Sequence, residues 1–121
     1  MSRAGSATLG PMLPSSIPVV HVPAELTDDT VVAFETVMAE YVSAAGPGVV
    51  LDLEGVSFIS SAGLGCLVKF GMRLDGNGRR LALARPDSHI ERSLRLIGLE
   101  SKLPMFPSVS AATTHVATFR G

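Results

Sequence analysis

At 121 residues the chain suits one domain with one core, and 46% apolar residues supply enough material to build it. A formal net charge of -1, with basic residues scattered, excludes the polybasic footprint of a nucleic-acid binder. The single cysteine, Cys66, excludes an internal disulfide framework, and no window nears the roughly 18 apolar residues that cross a bilayer.

The first ten residues, MSRAGSATLG, lack the apolar run of a signal peptide, so a cytoplasmic location away from membranes is expected. Residues 1–16 are rich in Ser, Gly, Ala and Pro and read as a flexible tail, with residues 7–13 available as an irregular first strand. Residues 17–22 read as a short strand in which Pro18 falls near the start, where its missing N–H does no harm. Thr27-Asp28-Asp29-Thr30 then supplies helix-starting side chains, with acids at the positive end of the dipole. Val31, Phe34, Met38, Tyr41, Val42 and Ala45 follow at helical spacing until Gly46-Pro47-Gly48 stops the helix.

Residues 49–53 are nearly continuous in apolar side chains, as expected of a central parallel strand covered on both faces. After Gly55, residues 56–59 lead to a serine pair and a second helix from Ser61 to about Leu74. Its buried stripe is read as Leu64, Leu67, Val68, Gly71 and Met72. Asp75-Gly76-Asn77-Gly78 is a strong turn signal before a strand at residues 81–84. Asp87 or Ser88 caps a third helix lined by Ile90, Leu94 and Ile97. Residues 103–106 make a last strand, and Ser108 starts a final helix through Ala111, Ala112 and Val116. The alternation implies an α/β fold, with a four- to five-stranded mostly parallel sheet, right-handed crossovers and about four helices in one domain spanning residues 17–118.

Functional sites of open parallel sheets gather where strands end and helices begin. Ser60-Ser61-Ala62-Gly63-Leu64-Gly65 stands at such a junction, after the most apolar strand. The first N–H groups of a helix lack internal partners, so a serine can cap them or a phosphate can find donors there. Capping serines are common, and on these grounds alone plain capping takes precedence. The Gly-Lys-Ser/Thr ending of a P-loop and a Gly-x-Ser-x-Gly elbow are both missing.

The stretch VVLDLEGVSFISSAGLG at residues 49–65 resembles the signature of STAS domains, in particular bacterial anti-sigma factor antagonists. Glu25-Leu26-Thr27-Asp28-Asp29-Thr30 upstream, and Ile97-Gly98-Leu99 with LPMFPS at residues 103–108 downstream, extend the resemblance over about residues 17–116. It implies a STAS fold and a phosphoacceptor serine at Ser61, following an acid that is here Ser60. Ala62 replaces the family's second hydroxyl residue, and Thr27 replaces a frequent Asp. Both the Ser60 and Thr27 substitutions remove negative charge from around the acceptor. Family members also open with a two-stranded hairpin, for which the region before Ile17 is a poor match.

The role so implied is a phosphorylation-switched module, not an enzyme. It binds a serine-kinase-type anti-sigma factor, frees a sigma factor, and is reset by a PP2C-type phosphatase. Its expected partner surface comprises Thr27, Asp28, Ser60, Ser61, Ala62, Gly63, Gly65, Cys66, Lys69 and Phe70. Cys66, Lys69, Phe70 and Arg73 are expected on the exposed side of the second helix. Phe70 is read either as a contact or as a ring folded under a neighbouring helix; Cys66 is read as a packing residue and Lys69 as solvated. Competing readings are a constitutive STAS adaptor in a signalling or transport complex, and a small enzyme using Ser61 as nucleophile. His21, His89 and His115 show no metal-ligand spacing with Cys66, so neither metal nor cofactor is expected. Asp52 is a candidate to orient the serine loop, and Glu54 is read as solvated.

Overall fold

The computed structural model describes residues 17–44 and 46–118. The possible first strand within residues 1–16 lies outside that range. The elements run β1 (Val19–His21), β2 (Glu25–Leu26), α1 (Val31–Ser43), β3 (Gly48–Asp52), β4 (Phe58–Ile59), α2 (Ser61–Gly76), β5 (Arg80–Ala84), α3 (Ser88–Leu96), β6 (Met105–Phe106) and α4 (Val109–Thr118). Four strands form one parallel sheet in the order β1-β3-β5-β6, and β2 pairs in parallel with β4 as a separate two-stranded sheet. The α/β alternation with four helices is as the sequence implies. Among the described residues no helix is long and apolar enough to cross a membrane.

The continuous apolar strand at the centre has its cause in the layers around it. Val49, Leu51 and Leu53 point into a large core shared with Phe34, Met38, Leu67, Phe70, Leu74, Ile90 and Leu94. Val50, between them, points the other way to meet Ala82, Ala84, Ala112 and Val116 beneath α4. Two faces must both be covered, so β3 carries no polar side chain until its last residue, Asp52.

Two helix readings are corrected by this packing. In α2 the fully buried positions are Gly63, Cys66, Leu67, Phe70 and Leu74, whereas Met72 is 59% exposed. The cause is α1: the helix rests on a sheet and on a neighbour, so its buried arc turns toward Phe34. The Phe34 and Phe70 rings meet edge to face at 6.4 Å and 87°. Phe70, read either as an exposed contact or as a ring folded under a neighbouring helix, is the latter at 1% exposed. The second correction is Ile97, which lies past the end of α3 and is 56% exposed.

The start of α1 also departs from expectation. Thr30 occupies the cap position without a side-chain cap bond, and no acid lies in the first turn. Instead, residues 27–30 form a tight turn. The Thr30 hydroxyl donates to the Glu25 carbonyl (2.8 Å) and accepts from the Thr27 N–H (2.9 Å), and Val31 N–H donates to the Thr27 carbonyl. The turn holds Asp28 and Asp29 out in solvent, beside the start of α2.

A helix end is closed from a distance at the opposite pole. The last turn of α1 holds no basic residue. Arg79, almost fully buried, donates from Nη1 to the carbonyls of Tyr41 and Val42 (2.8 Å each) and from Nε to that of Gly46 (2.9 Å).

Candidate functional site

The short β2–β4 sheet builds the site. It sets Glu25 opposite Phe58 and Leu26 opposite Ile59, and Ser60 N–H then donates to the Leu26 carbonyl at 2.8 Å. Two further bonds tie Ser57 to Ala24, through its N–H (2.8 Å) and its hydroxyl (3.4 Å). The turn at residues 27–30 and the beginning of α2 are thereby locked side by side.

Within that frame the two serines divide their tasks. Ser60 stands outside the helix with extended backbone (φ -77°, ψ 172°), and its Oγ accepts from the Gly63 N–H at 3.1 Å. The same hydroxyl reaches Asp28 Oδ1 at 3.5 Å. Ser61 is the first residue of α2 and is exposed, and no hydrogen bond engages its hydroxyl among the described residues. Capping is therefore done by Ser60, leaving the Ser61 oxygen presented to solvent.

Gly63 makes this geometry possible. A Cβ there would stand 2.5 Å from the Leu26 carbonyl oxygen and 2.8 Å from Leu26 Cγ. The helix start consequently packs directly on the β2 backbone. Gly63→Ala would gain about 1 kcal/mol of helix propensity but lose about 1–3 kcal/mol to overpacking against rigid strand backbone. A lower melting temperature is expected, together with chemical-shift changes reaching Asp28 and Ser61. A stabilised protein would contradict the close approach. At Gly65, by contrast, an added Cβ meets nothing within 4 Å.

Of the residues expected at the partner surface, Thr27, Asp28, Ser60, Ser61, Ala62, Gly65 and Lys69 come together around the start and outer face of α2. Lys69 is exposed and paired with Glu35 on α1 (2.9 Å). Gly63, Cys66 and Phe70 are turned into the core, which removes them from the expected partner surface and, of the two readings of Phe70, leaves the ring folded under a neighbouring helix. Burial, with Glu35 nearby, pushes the Cys66 thiol up to about 11, in keeping with a packing residue.

Asp52 does not orient the serine loop. Its carboxylate, 1% exposed at the end of β3, is bound by Arg85 through Nε (3.1 Å) and Nη2 (2.5 Å) and accepts the Glu54 N–H. The hydrogen-bonded Arg85 holds the Asp52 carboxyl below the usual carboxylate range. Arg85 adopts a positive φ of 57° to make this reach, and its second contact is Glu54 at 2.8 Å, so Glu54 is paired as well as exposed. Among the described residues no group of three His, Cys, Asp or Glu side chains is placed to hold a metal.

An apolar groove of about 210 Å³ lies beside the serines, lined by Phe58, Ile59, Leu64, His89, Ile90, Ser93, Leu94 and Ile97. Sequence reasoning missed it because its rim residues, Phe58 and Ile97, read as ordinary strand and helix positions. The pairing of β2 with β4 is what leaves Phe58 standing outward.

Fold and site together define a parallel α/β domain that offers a serine hydroxyl at the start of a helix, on the carboxyl side of its sheet. The family profile of the STAS domain matches residues 13–112, and the chain belongs to that family. Its structure is similar to an anti-sigma factor antagonist from Mycobacterium paratuberculosis, with 30% identity and a TM-score of 0.72 over 81% of this chain and 83% of that one. A Thermotoga maritima protein provisionally assigned as an anti-sigma factor antagonist is 27% identical, with a TM-score of 0.71 over 81% and 86%. An anti-sigma-factor antagonist (STAS) domain protein from Planctomyces limnophilus has a TM-score of 0.76 over 86% and 93% at 22% identity, a likeness of fold alone. No curated protein sequence matches the chain.

Proposed function

We propose that the chain is a phosphorylation-switched anti-sigma factor antagonist. In its unmodified form it docks a serine-kinase-type anti-sigma factor through the surface around Ser61 and so releases a sigma factor. Phosphorylation of Ser61 by that kinase ends the association, and a PP2C-type phosphatase restores it. The observation that carries this reading is the division between the serines. Ser60 is spent on the cap, whereas Ser61 stands exposed with its hydroxyl unengaged among the described residues.

A phosphate adds about -1.5 to -2 charges at neutral pH. At a helix N-terminus that charge meets unpaired N–H groups and the positive end of the dipole, so the fold accommodates it. The block arises across the interface, where the bulk and hydration of the phosphate oppose close contact. Complete switching requires a difference of about 5.5 kcal/mol between the two forms. Burial of an uncompensated dianion reaches that scale.

Use of Ser61 as an enzymatic nucleophile needs a base, and no histidine bonds to it among the described residues. A constitutive adaptor would share the same docking surface without modification. The deciding experiment incubates the protein with Mg-ATP and each purified serine-kinase-type anti-sigma factor of its source cell. One phosphate on Ser61 is expected by mass spectrometry, with none on Ser61→Ala, which should still bind. Modification of Ser60 instead, or of nothing by any of these kinases, would defeat the switch.

A further inference from the structure

Large apolar side chains cluster at the surface next to the serines. Phe58 is 51% exposed and Ile97 56%, and the groove between Phe58, Leu64 and Ile97 is open to solvent. Single exposed apolar residues are ordinary, but a contiguous set around a concavity marks a contact site. The other rim is acidic. Glu25 is the register partner of Phe58, and Asp28 lies 3.5 Å from the Ser60 hydroxyl.

Glu25, Asp28 and Asp29 have no cationic partner among the described residues. Elsewhere Glu35 pairs with Lys69, Glu54 with Arg85, Asp75 with Arg80, and Glu91 and Glu100 with Arg95. An uncompensated acidic rim argues against a second copy of this chain on the same face, since an isologous contact would bring like charges together. It complements a basic surface.

We propose that the groove between the start of α2 and α3 receives a large apolar side chain of the anti-sigma partner, on a segment whose basic residues face Glu25, Asp28 and Asp29. This inference rests on the docking role of the Ser61 surface. An anchor seated beside Leu64 draws the partner's backbone down over Ser61, Ala62 and Gly65, where no side chain larger than serine stands in the way. A phosphate on Ser61 then meets the partner at contact distance, although it lies outside the groove itself.

The test uses the full chain and the purified serine-kinase-type anti-sigma factors. Ile97→Lys, at an exposed position, is expected to weaken binding by at least about tenfold, the scale of losing one buried anchor, without lowering the melting temperature. Glu25→Gln with Asp29→Asn should slow association several-fold at low salt and flatten its salt dependence. A footprint makes the test independent of affinity: Ile97→Cys is labelled with a maleimide, free and in complex. The native thiol at Cys66 is buried and raised to about 11, so the introduced thiol dominates the reaction. Complex formation should slow labelling about tenfold or more, as expected of a contact that excludes solvent. Wild-type binding with unchanged Ile97→Lys affinity and unprotected labelling would overturn the groove while leaving the docking role intact. A wild-type protein that binds none of these factors overturns the docking role, and the groove proposal with it.

Discussion

Ser61→Glu is expected to weaken binding to the anti-sigma partner by about a hundredfold or more while moving the melting temperature by no more than about 3 °C. Two opposing effects act within the molecule. A carboxylate in the first turn of α2 gains about 0.3–1 kcal/mol from the helix dipole. Repulsion from Asp28, which stands beside Ser60, opposes this with at most about 1 kcal/mol in water. They nearly cancel, so the fold is indifferent to the change. Across the interface nothing cancels, because a single charge buried without a partner costs several kcal/mol. Glutamate carries one charge where a phosphate carries nearly two, so it should fall short of the full 5.5 kcal/mol needed for complete switching. Titration calorimetry against the partner and scanning calorimetry on the free protein measure the two sides separately. An acidic variant that binds as tightly as wild type would end the electrostatic and steric account of Ser61.

Legibility of the fold from sequence followed the strength of each local signal. The β3 strand announced itself because burial on both faces forces a nearly continuous apolar run over residues 49–53, with Asp52 its one polar member. The starts of α2 and α3 were readable because Ser60 and Asp87 act locally, accepting from the Gly63 and His89 N–H groups. The start of α1 after residues 27–30 was readable too, but not that the Thr30 hydroxyl closes the preceding turn instead of capping the helix, because the same side-chain chemistry serves both. The pairing of Glu25–Leu26 with Phe58–Ile59 was not legible: two-residue strands carry no periodicity, and their partners lie more than 30 residues apart in the chain. That unread sheet is what brings Asp28 to Ser60 and turns Phe58 outward. In α2 the spacing of apolar residues fitted more than one face. Only the presence of α1 alongside decided that Phe70 goes in and Met72 stays out. At the site, the serine positions were visible in the chain, whereas the division of labour between them required the geometry.

Arg79→Met should cost about 3 kcal/mol of folding stability and lower the melting temperature by about 12–24 °C. The Arg79 guanidinium is 7% exposed, and desolvation lowers its pKa from the usual arginine range. Such burial is tolerable only because Nε and Nη1 serve three carbonyls at the end of α1, those of Tyr41, Val42 and Gly46. Each hydrogen bond from a charged donor contributes about 1.5–3 kcal/mol, and the cation also faces the negative end of the α1 dipole. The gross loss is therefore larger than 3 kcal/mol. Two effects reduce it: methionine no longer carries a buried charge, and Nη2 has no hydrogen-bond partner among the described residues to lose. Methionine fills most of the volume, so a cavity contributes little and the loss reports the carbonyls. Arg79→Lys should recover only part of it, because one ammonium cannot span three acceptors in the plane of a fork. Urea unfolding of the two variants beside wild type measures the difference. A loss below about 1 kcal/mol for Arg79→Met would mean that water satisfies those carbonyls equally well, and that α1 ends without help from Arg79.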